Sequence, residues 1–97
     1  LRINGLLNGS TQNILQNARM LLSRGYTVLK VKLGHRPVDE AIDLVNALCN
    51  LPLTNFKLRP DANRAWNMEQ ALRFAYNIPH GKIDYLEEPL QNPRQLE

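Results

Sequence analysis

Short β-rich runs recur along the chain at a step of roughly 30 residues, the size of one strand–helix–strand unit. Between them, apolar residues fall at helical spacing. Arg2 to Leu7 is short and apolar-rich, and Gly9-Ser10-Thr11 after it supplies turn and capping chemistry. Ile14, Leu15, Ala18, Leu21 and Leu22 then trace one helical face as far as Arg24, with Gly25 placed to end it. Thr27-Val28-Leu29-Lys30-Val31-Lys32-Leu33 reads as a strand that stops at Gly34. Pro37 is expected at the first helical position, and Asp39 and Glu40 suit a first turn. Val38, Ala41, Ile42, Val45, Leu48 and Cys49 form the second apolar stripe. Phe56 to Ala62 is the third strand, with Pro60 near its end. Asn67 and Gln70 have capping-box spacing ahead of Met68, Ala71, Leu72 and Ala75. Pro79-His80-Gly81 breaks that helix, and Ile83 to Leu86 gives a fourth strand closed by Pro89.

The order β-α-β-α-β-α-β at this step specifies an α/β chain with a parallel sheet and crossover helices. It fits a doubly wound sheet or part of a (β/α) barrel. A whole TIM-like barrel needs about 250 residues, so this chain is at most half of one. A doubly wound nucleotide-binding fold wants a glycine-rich turn after the first strand, and Asn4-Gly5-Leu6-Leu7-Asn8-Gly9 is not G-x-G-x-x-G. Leu1 stands where an initiator methionine would, and Asn92-Pro93 opens a helix just before Glu97. The expectation is a single domain segment, residues 1–97, forming the N-terminal half of a barrel within a longer polypeptide.

Composition narrows the partners. With 43% hydrophobic and 22% charged residues the chain has enough apolar surface to bury a core, which excludes disorder. No run of about 20 apolar residues and no signal-peptide pattern is present, so neither a membrane span nor a secretory signal is read. The formal charge is +3, but Lys and Arg are scattered and the aromatics do not interleave with them, so no nucleic-acid partner is expected. The lone Cys49 cannot form an internal disulfide, which fits a reducing, cytoplasmic setting.

The chemistry gathers at strand ends. Side chains alternate faces along a strand. Lys30 and Lys32 therefore share one face of the second strand, with Leu29, Val31 and Leu33 on the other. Lys57, Arg59, Asp61 and Asn63 share a parity in the third strand region, and Ile83, Tyr85 and Glu87 share one in the fourth. Two ammonium groups on one face of a buried strand are costly unless that face is wet. In a barrel the wet place is the inner face near the C-terminal ends of the strands. Carboxylates there are hard oxygen ligands suited to Mg²⁺, and an amine crowded by a second ammonium and a divalent cation gives up its proton more readily. Each feature also has a plain structural reading. Lys30 and Lys32 are equally an edge-strand pair that blocks aggregation. Asp61 alone is a strand-end turn residue. Arg59 alone is the partner of a neighbouring carboxylate. Glu88 has the opposite parity to Glu87 and is solvated or structural. Trp66 reads as a packing anchor, Tyr85 as barrel interior, His35 and His80 as loop residues, and Cys49 as core.

Lys30-Val31-Lys32, Asp61-Ala62-Asn63 and Leu86-Glu87-Glu88-Pro89, in that order and on successive strands, resemble the enolase superfamily and its muconate-lactonizing subgroup. The longer stretches from Leu58 to Trp66 and from Tyr85 to Pro89 are most similar to the o-succinylbenzoate synthase family. The resemblance implies a Mg²⁺-dependent (or Mn²⁺-dependent) lyase acting on a small-molecule carboxylate. A lysine would remove a proton α to the carboxylate, and water would then leave by syn elimination, in menaquinone or phylloquinone synthesis. It assigns Lys32 as the base, Lys30 as its assistant, and Asp61 and Glu87 as metal ligands. Asn63 and Arg59 are placed for substrate contact. The family's capping domain, its third carboxylate ligand on the fifth strand and its lysine on the sixth have no counterpart in these 97 residues. Two other readings stay open. One is an N-succinylamino acid racemase or dipeptide epimerase, which shares this half-site. The other is a non-catalytic α/β module. The oligomeric state is not legible, although the bare edges of an unclosed barrel favour self-association.

Overall fold

The computed structural model describes residues 2–34, 36–53, 55–62 and 65–84. Three strands and three helices alternate: β1 (Arg2–Leu7), α1 (Thr11–Ser23), β2 (Tyr26–Lys32), α2 (Val38–Cys49), β3 (Lys57–Asp61) and α3 (Met68–Tyr76). The strands form one parallel sheet in the order β1-β2-β3. Among the described residues no helix is long and apolar enough to cross a membrane.

Local chemistry accounts for the element ends. Ser10 caps α1 by accepting from the Asn13 amide at 3.2 Å. Gly25, at φ +92°, follows the Arg24 cap and donates its N–H to Leu22 O, the left-handed exit expected of glycine there. The capping box on α3 forms as the spacing predicts. Asn67 Oδ1 accepts from the Gln70 amide at 2.8 Å, and Gln70 Oε1 accepts from the Asn67 amide at 3.0 Å. Pro37 stands one position outside its expected place. It is the N-cap of α2, in extended backbone with ψ 147°, and the helix starts at Val38. Its carbonyl accepts the first helical bond, from Ala41. The third strand is shorter than expected, Lys57–Asp61, with Phe56 and Ala62 buried just outside its ends.

The helices lie against a single face of the sheet. Leu29, Val31, Leu33, Leu58 and Ala62 are buried there, together with Ile14 and Ala18 of α1, Ala41, Leu44, Val45 and Leu48 of α2, and Ala71 and Phe74 of α3. Trp66 anchors the loop into α3, its ring 4.6 Å from that of Phe74. The indole N–H is buried without a hydrogen-bond partner among the described residues, and the ring is held by packing. Gly5 lets α1 sit close. A Cβ there would meet Leu21 Cδ1 at 2.8 Å and carbons of Leu29 and Tyr26 at 3.1 Å. On the outside, Arg73 pairs with Asp39 at 2.8 Å, and Asn46 donates to Asn77 O at 3.1 Å, joining α2 to α3.

The next extended segment chooses between the two folds open to the sequence. Ile83 bridges Leu58 in parallel, Leu58 donates to Lys82 O at 2.7 Å, and Asp84 donates to Leu58 O at 2.8 Å. The fourth segment therefore begins beside β3. In the commonest doubly wound order it would lie beside β1. Sequential pairing with helices on one face is the wall of a (β/α) barrel. Pro60 is tolerated because it points the same way as Leu58. Its missing N–H is subtracted from the ladder on the fourth-segment side and not from the pairing with β2.

Two measurements check this packing. Gly5→Val should lower stability by about 1–3 kcal/mol in urea denaturation, because Leu21, Leu29 and Tyr26 crowd the site. Gly5→Ala should cost less, since the nearest atom is the end of a flexible leucine. Cys49 is half-buried at the end of α2, and burial pushes its thiol up while the Lys82 ammonium pulls it part of the way back. The folded thiol thus keeps its proton to higher pH than the unfolded one. That contribution to stability is complete below the unfolded thiol's pKa and is lost as the pH rises through the folded value. Cys49→Ala should flatten the alkaline fall in stability, and at about pH 8 iodoacetamide should modify the folded protein more slowly than the urea-unfolded chain.

Candidate active site

Burial of one face of the sheet fixes what stands on the other. Across β2 and β3 the register pairs are Lys30 with Arg59 and Lys32 with Asp61. Paired residues on neighbouring strands share a face, so all four side chains project away from the helices. Lys32 and Asp61 are the last residues of their strands, at the C-terminal edge of the sheet. Leu33 extends the pairing by one bond, from its N–H to Asp61 O at 2.9 Å.

Among the described residues Asp61 is the only buried charged one, 6% exposed. Its Oδ2 lies 3.9 Å from Lys30 Nζ, and the Lys30 side chain is 38% exposed. That separation is an ion pair without a direct short hydrogen bond. The two amines differ. Lys30 is drawn to Asp61, whereas Lys32 is half-buried and its ammonium makes no ion pair among the described residues. Leu6 of β1, in register with Lys30, extends the same face and is 55% exposed.

Arg59 lies one pair below Lys32 and Asp61 on that face. Its Nε donates to Asp84 Oδ2 at 2.7 Å. This is the carboxylate partner its plain reading anticipated, and it ties β3 to the fourth segment. Asn63 and Glu87 lie outside the described residues, as do His35, Tyr85 and Glu88. His80 is exposed, its ring nitrogen 2.8 Å from Ala75 O. Among the described residues no three His, Cys, Asp or Glu side chains come together as a metal site. Sequence reasoning missed two contributors, Asp84 and Arg36. The parity expected to carry the chemistry of the fourth segment is corrected at its start: Ile83 bridges Leu58 and packs against the core under the helices, so it is Asp84, of the opposite parity, that shares the open face with Arg59. Arg36 lies in a loop, where no periodicity marks it.

The comparisons agree with the fold. Residues 13–97 match the family model described as enolase C-terminal domain-like, and the chain belongs to that family. It is 41% identical over 75 residues to an o-succinylbenzoate synthase of Vibrio cholerae, covering 73% of this chain and 22% of that protein. It is 31% identical over 80 residues to an L-amino acid-D/L-Glu epimerase of Sulfurimonas denitrificans, covering 82% of this chain and 23% of that one. The crystal structure of the o-succinylbenzoate synthase from Thermosynechococcus elongatus, with magnesium in its active site, superposes with a TM-score of 0.81 at 37% identity. That match covers 98% of this chain and 30% of the other. The chain thus spans under a third of the length of these relatives, all of them enzymes of the enolase superfamily, whose fold is a TIM barrel.

A double-mutant cycle checks the Arg59–Asp84 pair. Both side chains are partly exposed, 29% and 37%. The coupling between Arg59→Met and Asp84→Asn should be about 0.5–1 kcal/mol and should shrink as salt is raised.

Proposed function

We propose that the chain is the N-terminal half of a barrel catalytic domain, and that the domain carries out the reaction of an o-succinylbenzoate synthase. The observation that carries this reading is the register pair Lys32–Asp61. It sets an amine with no ion pair among the described residues beside a buried carboxylate, at the C-terminal edge of the sheet, on the face the helices leave open. The 41% identity with a synthase of that name supports the choice of reaction.

Each residue then has a role. Lys32 removes the proton from the carbon next to the substrate carboxylate. Lys30, two residues back on the same face, keeps a positive charge near the substrate anion. Asp61 fits a hard divalent cation, because it offers carboxylate oxygens from a buried strand end, 3.9 Å from the Lys30 ammonium. Glu87 is proposed as a second ligand, and Asn63 as a substrate contact. Arg59, held by Asp84, is proposed to contribute positive charge to the substrate pocket from below. Bound Mg²⁺ or Mn²⁺ would supply the charge that stabilises the anion left by proton loss. The proton that Lys32 has taken up passes to the β-hydroxyl on the same side, the C–O bond breaks and water leaves as the double bond forms, and the product serves menaquinone or phylloquinone synthesis. The setting proposed is cytoplasmic, with a small-molecule carboxylate as the substrate.

The epimerase relative at 31% identity favours a second reading, in which the same lysine moves a proton on and off an amino-acid derivative. Dehydration without exchange of an amino-acid α-proton in D₂O separates the two.

In the full-length polypeptide, Lys32→Ala should lower turnover on the order of 10³-fold with the fold retained. Asp61→Asn should weaken Mg²⁺ binding at least about tenfold in calorimetric titration. Lys32→Ala turnover within a few-fold of the unmodified protein overturns the reading. Residues 1–97 alone should not catalyse the dehydration.

A further inference from the structure

Arg36 makes a set of contacts that the proposed chemistry does not use. It sits in the loop between β2 and α2, half-buried. One terminal nitrogen donates to Leu33 O at 3.0 Å and to Lys32 O at 3.3 Å. The other donates to Gly9 O, in the loop after β1. The Arg36 backbone N–H also donates to Leu33 O, at 3.3 Å. The guanidinium makes no ion pair among the described residues, so its donors are spent on backbone carbonyls at the C-terminal edge of the sheet.

We propose that Arg36 is a positioning residue that clamps the C-terminal ends of β1 and β2 together and so fixes the backbone from which Lys32 projects. The argument is one of geometry. Lys32 is the last residue of β2, and beyond it the described residues continue the pairing with β3 through a single bond, Leu33 N–H to Asp61 O. Left to that bond, the strand end frays, because terminal residues open at little free-energy cost. Arg36 holds the carbonyls on both sides of the Lys32–Leu33 junction and ties them to the β1 exit. The same peptide unit that Arg36 grips also bonds Asp61, so one fork sets the spacing of the amine and the carboxylate together. A planar guanidinium can reach two loops at once with a fixed angle between its donors, whereas a lysine ammonium cannot. The inference rests on the reading of Lys32 as the base, since holding its backbone matters to turnover only if its amine acts.

The test pairs amide exchange with kinetics in the full-length polypeptide, using Arg36→Met and Arg36→Lys. Amide exchange at Leu33 should quicken at least about tenfold in both variants, while Leu29 and Leu58 in the strand interiors keep their rates. The kcat should fall on the order of 100-fold with KM changed less than about twofold, because the base is misplaced while substrate binding is kept. Arg36→Lys, which keeps the charge but not the fork, should recover little of the loss. Unchanged exchange at Leu33 overturns the clamp. A rise spread equally over Leu29, Leu58 and Leu33 overturns it too, since Arg36 is then a general stabiliser. Loosening of Leu33 with kcat unchanged overturns the positioning role. If the unmodified protein removes no α-proton, the reading of Lys32 as base fails by itself, and Leu33 exchange still decides whether the clamp exists.

Discussion

Burial of one side of a parallel sheet is the constraint on which the rest of this molecule depends. Leu29, Val31, Leu33, Leu58 and Ala62 are all removed from water under the helices. A strand has a side-chain period of two, so a shift of one residue along this stretch would carry Leu29, Val31 and Leu33 into the open and bury Lys30 and Lys32. Each apolar side chain buried is worth roughly 1.5–3 kcal/mol, and unpaired ammonium groups in an apolar layer would add a further cost. That difference exceeds any ion pair on the open face, so the register is set by the hydrocarbon side and the polar side follows. Lys32 and Asp61 stand next to each other because Leu33 and Ala62 must be where they are.

This ordering explains what the sequence discloses and what it conceals. The strand limits of β1, the helix face of α1 and the box at Asn67 and Gln70 were legible because each is a local rule with a fixed spacing. Parity along β2 and β3 was legible for the same reason. The placement of Pro37 was off by one position because proline is acceptable both at a cap and just inside it, and only the start of the hydrogen-bond ladder distinguishes them. The fold choice could not be made locally. Doubly wound sheets and barrels share the same strand–helix alphabet, and the decision rests on a pairing between Leu58 and Ile83 that no pattern within either segment specifies.

The candidate site shows the same division. Its members on β2 and β3 follow from parity, and the side of the sheet they take follows from burial. What the sequence did not disclose is which amine Asp61 attracts, and that Arg59 would find Asp84. Both depend on side-chain reach across strands. Lys30 reaches along the face toward the carboxylate, while Lys32, in direct register with it, makes no ion pair among the described residues. Arg36 was invisible for another reason. Its partners are main-chain carbonyls, which every residue has, so no complementary residue type announces the contact.

Pro60 carries a consequence for how this wall tolerates change. With its donor missing on the outer side of β3, the described part of the neighbouring segment is moored to that strand by the two bonds of Leu58, the Arg59–Asp84 link and the Lys57 ammonium on Gly81 O, all between Gly81 and Asp84. An insertion or deletion between Gly81 and Asp84 would disrupt these contacts together. The loop from Asn50 to Asn55 lies ahead of a strand moored along its whole length, and length variation there would be absorbed. Natural variants of this segment should therefore gain and lose residues before β3 and hold a constant length between Gly81 and Asp84.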